Sequence, residues 1–193
     1  MSKEPKCKKC RRAGVKLFLK GSKCTGPNCT LVKKNYPPGE KSKRRNKVSE
    51  YGRELIEKQK LRNWYNLGER QFKGYVTEAM SKKNEGEDSG EVLIQNLENR
   101  LDNTVYRLGL GQSRPKARQM VNHGHIQVNG QQVDIPSFQV KPGDVIKVGG
   151  KPSSQQLVLR MLDLTQAVPA VDWLEVDREK MEATMSRIPE RSE

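Results

Sequence analysis

No apolar run in this chain approaches the roughly 18 residues that a membrane-spanning helix needs, and hydrophobic residues fill only 33% of its 193 positions. A membrane-spanning helix is not expected on that ground, and the core is expected to be modest and discontinuous along the chain. The first residues lack the apolar stretch of a secretory signal, so the protein is expected to stay inside the cell. Histidine is almost missing. His123 and His125 are the only two, and no carboxylate or cysteine pattern accompanies them, which argues against a catalytic or metal role there. Cysteine is absent after Cys29. Negative charge is scarce where positive charge is densest: residues 1–50 hold 16 Lys/Arg against 3 Asp/Glu, nearly the whole of the net charge of +14. Residues 51–100 balance, residues 101–150 carry a small positive excess, and residues 151–193 a small negative one. A basic arm joined to a near-neutral globular part suits a nucleic-acid partner.

All four cysteines lie inside that arm, as Cys7-x2-Cys10 and Cys24-x4-Cys29. Two close pairs across a short loop can bring four sulfurs to one tetrahedral point. The cations around them (Lys6, Lys8, Lys9, Arg11, Lys20 and Lys23) are expected to favour thiolate, and Gly21, Gly26 and Pro27 suit tight turns. The expected ligand is zinc, with an iron–sulfur cluster as the alternative. After Pro37-Pro38-Gly39 comes a basic linker in which Lys43, Arg44 and Arg45 are candidate RNA contacts.

Ser49 is placed to cap a helix over about 50–67, with Tyr51, Leu55 and Ile56 on one side and Leu61, Trp64 and Tyr65 further along. A second helix over about 69–82 carries a stripe of Phe72, Tyr75, Val76, Ala79 and Met80. Ser89 is the expected cap of a third, which presents Leu93, Leu97, Leu101, Val105 and Leu108 inward and Arg100, Asn103 and Arg107 on another face. Ser113 then caps a helix with Pro115 in its first turn. Ala117, Met120 and Val121 point inward, leaving Arg114, Lys116, Arg118, Gln119 and Asn122 outside. Gly124 ends it with a left-handed cap, and Asn129-Gly130 signals a type I′ hairpin. Short strands are expected at about 131–135, 138–140 and 145–148, a helix near 154–164, and an apolar segment from Trp173 to Asp177.

The face at Arg100, Arg107, Arg114, Lys116 and Arg118, with His125, Gln127 and Asn129 on the hairpin, fits structured RNA. A helix start concentrates positive potential, and hairpin amides can donate to sugar hydroxyls and phosphates.

The run Leu97-Glu98-Asn99-Arg100-Leu101-Asp102-Asn103-Thr104-Val105-Tyr106-Arg107, followed by Ser113 through Val121, resembles the signature of the ribosomal protein S-four family. So do Ser49-Glu50-Tyr51-Gly52, Glu57 through Arg62, Glu69-Arg70-Gln71-Phe72, Trp173 through Asp177 and the cysteine spacing, so the likeness covers nearly the whole chain. It implies an α+β protein in three parts. These are a cysteine metal-knuckle and basic arm (1–48), a mainly helical domain (49–96 with 150–193), and an inserted RNA-binding module of two helices and a small antiparallel sheet (97–149).

The resemblance also implies a non-enzymatic structural protein of the small (30S) ribosomal subunit, cytoplasmic and in the ribosome. Such a protein binds 16S rRNA early at a 5′-domain junction, helps nucleate assembly, and lies near the mRNA entry side beside the S-five protein. Some members repress their own messenger. Neither a membrane contact nor a homo-oligomer is expected. Arg100, Ser113, Arg114, Lys116, Arg118, Gln119, Gly124, His125 and Asn129 match the module's RNA-contacting positions, and Cys7, Cys10, Cys24 and Cys29 match the metal knuckle of some members. The chain departs from the pattern after Gly39, where Gln-His-Gly is missing, and at 189–193, where a final apolar strand is expected to follow. The competing readings are an RNA-modifying enzyme using the same module and a zinc-finger regulator. The cysteine knuckle holds no helix long enough for a major groove.

Overall fold

The computed structural model describes residues 5–39, 48–83, 86, 88–165, 171–177 and 180–189. The chain divides into two compact units, Met1–Glu69 and Arg70–Glu193.

In the first unit, α1 (Lys6–Ala13), α2 (Ser22–Thr25) and α3 (Thr30–Lys33) precede the longer α4 (Glu50–Trp64). Gly14, at φ 71°, supplies the left-handed stop that ends α1. The unit has little apolar material, and part of it forms one small cluster. Cys10, Leu17 and Leu19 are buried together, with Ala13 and Trp64 packed against them, and the Phe18 ring meets Trp64 edge-on at 6.3 Å. The cysteine-bearing segment is therefore packed on α4 rather than being a separate arm. Ser49 caps α4 as expected, its hydroxyl accepting from the Gly52 N–H at 3.2 Å. The apolar residues expected along α4 divide: Tyr51 and Leu55 are exposed, whereas Trp64 packs on the Cys10 cluster and Tyr65, just past the helix end, is buried.

In the second unit, α5 (Glu69–Lys83), α6 (Ser89–Glu98), α7 (Leu101–Arg107) and α8 (Arg114–Asn122) lead into β1 (Ile126–Val128), β2 (Gln131–Gln132) and β3 (Val145–Val148). Then come α9 (Pro152–Thr165), β4 (Leu174–Asp177) and β5 (Glu182–Met185). The stripe on α5 is partly right: Phe72 and Ala79 are buried, but Met80 is exposed. Asp88, not Ser89, caps α6, its carboxylate accepting from the Gly90 N–H.

The single helix expected through Leu93–Leu108 is two. Arg100 is extended, with φ −65° and ψ 134°. The Leu101 and Asp102 N–H groups leave the helical ladder for the carbonyls of Phe138 and Pro136. The strand expected at 138–140 is reduced to one bridge between Arg100 and Gln139.

The sheet is antiparallel in the order β2-β1-β3-β5-β4. Ile126 pairs with Val148, Val128 with Ile146, and Ile146 in turn with Ala183. These residues and Met185 turn inward onto Leu101, Val105, Ala117, Met120 and Val121. Val158 of α9 and Trp173 complete that core. Residues 150–193 are expected to join residues 49–96, yet β5 pairs with β3 and β4 with β5, and the division between compact units falls after Glu69.

Candidate nucleic-acid interface

The helix α8 begins at Ser113, which is extended at φ −158° and whose side chain makes no capping bond. Its carbonyl instead accepts from the N–H groups of Lys116 and Ala117. No acidic residue lies in the first turn. The helix ends in a Schellman arrangement: Gly124, at φ 69°, donates to the Val121 carbonyl and His125 to that of Met120. Asn129 and Gly130 both have positive φ, at 51° and 80°, as a type I′ turn demands. The Asn129 amide is spent on the start of β3. Its Nδ2 donates to Asp144 Oδ1 at 2.8 Å, and its Oδ1 accepts from the Val145 N–H at 2.9 Å.

The arginines expected on an open face are mostly enclosed. Arg100 is 0% exposed. Its Nε and Nη2 donate to the two Asp102 oxygens at 3.0 and 2.8 Å, and Nη1 donates to the Tyr75 hydroxyl at 2.7 Å. Burial alone would lower its pKa, but the Asp102 carboxylate and Tyr75 outweigh that and raise it.

Arg114 is 6% exposed. It stacks 4.5 Å over the Tyr106 ring and donates from Nε to Asn103 Oδ1 at 2.8 Å. Ser113 and Asn103 are buried as well. Arg107 donates twice to the buried Glu98 carboxylate, both at 2.9 Å, and Asn103 Nδ2 donates to the same carboxylate. These findings correct the expectation that Arg100, Asn103 and Arg114 stand free. A charged group inside a core needs an opposite charge with full hydrogen bonding, and Asp102 and Glu98 provide it. The sequence reading missed both acids because each lies on a helix that reads simply as amphipathic.

A smaller cationic surface remains. Lys116 is half-buried, Gln119, Asn122 and His123 are exposed, and Arg118 keeps part of its side chain in solvent. His125 is half-buried, with Nδ1 2.8 Å from Ser154 Oγ. Its pKa is lowered, first by burial and then by the charges of His123, Lys116 and Lys151. Lys151, exposed just before α9, thus belongs to the same positive region. The sequence reading did not select it, and only its place ahead of Pro152 hinted at a helix start. Lys43, Arg44 and Arg45 lie outside the described residues.

None of the four cysteines forms a disulfide; Cys10, Cys24 and Cys29 are buried and Cys7 is half-buried. The Lys20 N–H points at Cys24 Sγ, 3.4 Å away. Burial pushes the Cys10 thiol up, against the Leu17 backbone hydrogen bond; Cys24, Cys7 and Cys29 all add to the rise, so the four share one neighbourhood. Among the described residues, however, no group of three or more His, Cys, Asp or Glu side chains converges as a metal site would.

Helices α7 and α8 laid on a small antiparallel sheet, with an acid-free basic helix start beside a hairpin, define a compact α+β module with a cationic face. Residues 99–146 match the S4 domain, and residues 1–98 match the ribosomal protein S4/S9 N-terminal domain. The chain belongs to the S4 family of ribosomal proteins. It is 48% identical over 187 residues to small ribosomal subunit protein uS4 of Thermoanaerobacter sp. strain X514, covering 97% of this chain and 88% of the relative. The protein of that name from Thermus thermophilus is 45% identical over 190 residues, covering 98% and 90%. That from Akkermansia muciniphila is 49% identical over 191 residues, covering 98% and 89%.

Proposed function

We propose that this chain is a structural, non-enzymatic component of the small ribosomal subunit and that it acts by binding 16S rRNA. The observation that carries this reading is the likeness to small ribosomal subunit proteins along almost the full length of both chains. The surface formed by Lys116, Arg118, Gln119, Asn122, His123 and Lys151 supports it. Cations and amides carried on α8 and just ahead of α9 match the phosphates and 2′-hydroxyls of folded RNA. Its place is the 5′-domain junction, bound early in assembly, near the mRNA entry side and beside the S-five protein, in the cytoplasmic ribosome. No described helix is long and apolar enough to cross a membrane. The ribosomal relatives do not favour the enzyme or the zinc-finger regulator.

The test is co-sedimentation. The chain should travel with 30S particles through moderate salt, and recovery only in free, low-mass fractions would refute the assignment.

Zinc at Cys7, Cys10, Cys24 and Cys29 is part of the same proposal. The spacing and the shared neighbourhood of the thiols support it, and the sulfurs would have to draw together on the ion, since they do not converge as they stand. Zinc would add folding energy to a unit poor in apolar residues. Metal analysis of the purified chain decides between zinc and no metal. Visible absorption would instead identify an iron–sulfur cluster.

A further inference from the structure

Two arginines with opposite fates share the Asp102 carboxylate. Arg100 occupies both oxygens and lies wholly inside. Arg118 reaches Oδ2 through Nη1 at 3.3 Å, while 27% of its side chain stays exposed. Nη1 is the only Arg118 side-chain atom hydrogen-bonded among the described residues. A guanidinium is a planar fork of five N–H donors, so a hold at one corner fixes its orientation and leaves the other nitrogens to a ligand. The charges matter equally. A lone aspartate would neutralise Arg118 and weaken it toward an anion. Here Arg100 already cancels the Asp102 charge, so Arg118 is oriented and stays effectively cationic.

We propose that Asp102 is a positioning residue for RNA binding, holding Arg118 as an oriented fork for one phosphate while Arg100 offsets its charge. This rests on the reading that the α8 surface binds RNA. A diffuse cationic surface and an oriented fork make different demands on residue 118. Lysine satisfies the first and fails the second.

The experiment measures the affinity of the full chain for a transcript of the 16S 5′ domain at several salt concentrations. Arg118→Lys keeps the charge and removes the fork. Binding should weaken about tenfold with the salt slope unchanged. In an Asp102→Asn background the cost of Arg118→Lys should shrink to about twofold or less. Unaltered binding by Arg118→Lys overturns the proposal, and so does an undiminished cost in the Asp102→Asn background. Should Asp102→Asn fail to fold, relaxation of the Arg118 Nε–H group in the RNA-free wild-type chain decides. Rigidity matching the backbone is expected, and the motion of a solvated side chain overturns it. A rigid Arg118 combined with wild-type binding by both Arg118→Ala and Lys116→Ala would show that the RNA reading of this surface, and the proposal with it, is what failed.

Discussion

Arg100 and Asp102, two residues apart, form a bidentate ion pair shut away from solvent. The pair sits where α6 stops and α7 starts, so it fixes the corner between them as well as two charges.

Removing one partner of a buried pair leaves the other charged and unsolvated. Arg100→Met should therefore destabilise the chain by about 3–5 kcal/mol in urea unfolding. Arg118 relieves Asp102 only in part, from the solvent side. A loss under about 1 kcal/mol would mean that the corner does not depend on this pair.

Arg114 and Lys116 should separate stability from binding. Arg114→Ala removes the stack on Tyr106 and the bond to Asn103 and should cost about 2–3 kcal/mol. Lys116→Ala should change stability by about 0.5 kcal/mol at most. It should reduce the salt slope of RNA binding by about 0.7–0.9 if Lys116 meets one phosphate. The reverse pattern would place Arg114 at the RNA and Lys116 in the fold.

Gly111 and Gly124 should differ in why they resist substitution. A Cβ at Gly111 would meet the Ala117 backbone nitrogen at 2.9 Å, and backbone does not step aside. Gly111→Ala should cost about 1–3 kcal/mol. At Gly124 the obstacle is the tip of the Gln132 side chain, which can swing away, so what remains is the positive φ, worth about 1–2 kcal/mol. Adding Gln132→Ala should leave the Gly124→Ala cost nearly unchanged, as thermal unfolding of the double variant would show.

His125 gives stability a pH dependence of definite sign. Its folded pKa lies below the unfolded value of about 6.5. The unfolded chain therefore binds more protons in the window between the two. The contribution is fully present above about 6.5 and is lost as pH falls through that window. Unfolding midpoints should fall more steeply with acidification in the wild type than in His125→Gln. Parallel profiles would count against it.

Cys10→Ser should perturb the first unit and spare the second. Cys10 packs in the cluster that Trp64 covers, so Trp64 fluorescence should shift. Hydrogen exchange of β1, β3 and β5 should stay at wild-type protection. Lost protection there would show that the two units unfold together.

Much of the fold was legible from local chemistry. Ser49, Gly124 and Asn129-Gly130 each state a backbone demand that few residues meet, and each holds in the structure. The Leu93, Leu97, Leu101, Val105, Leu108 stripe holds as core except at half-buried Leu93, but it is two helices and not one, because α7 resumes the apolar phase of α6 after the break. Burial of Arg100 was not legible. Arg100, Asn103 and Arg107 at helical spacing look like a solvated face, and only the folded chain shows Tyr75 and Asp102 closing on Arg100 while the Leu101 and Asp102 N–H groups turn to the carbonyls of Phe138 and Pro136. The strand β5 was missed for the opposite reason. Only Ala183 and Met185 in Glu182–Met185 are inward, too brief an alternation to stand out.

That strand lies between β3 and β4 although it is the last of the described strands. A chain made from its N-terminus presents β1 and β3 first, with the outer edge of β3 bare. A bare strand edge is a row of open backbone donors and acceptors, so until residues 182–185 emerge the nascent module carries a sticky flank open to mispairing. Synthesis and closure of the sheet are thereby coupled: ribosomes that stall between β3 and β5 should release a product prone to edge-to-edge association.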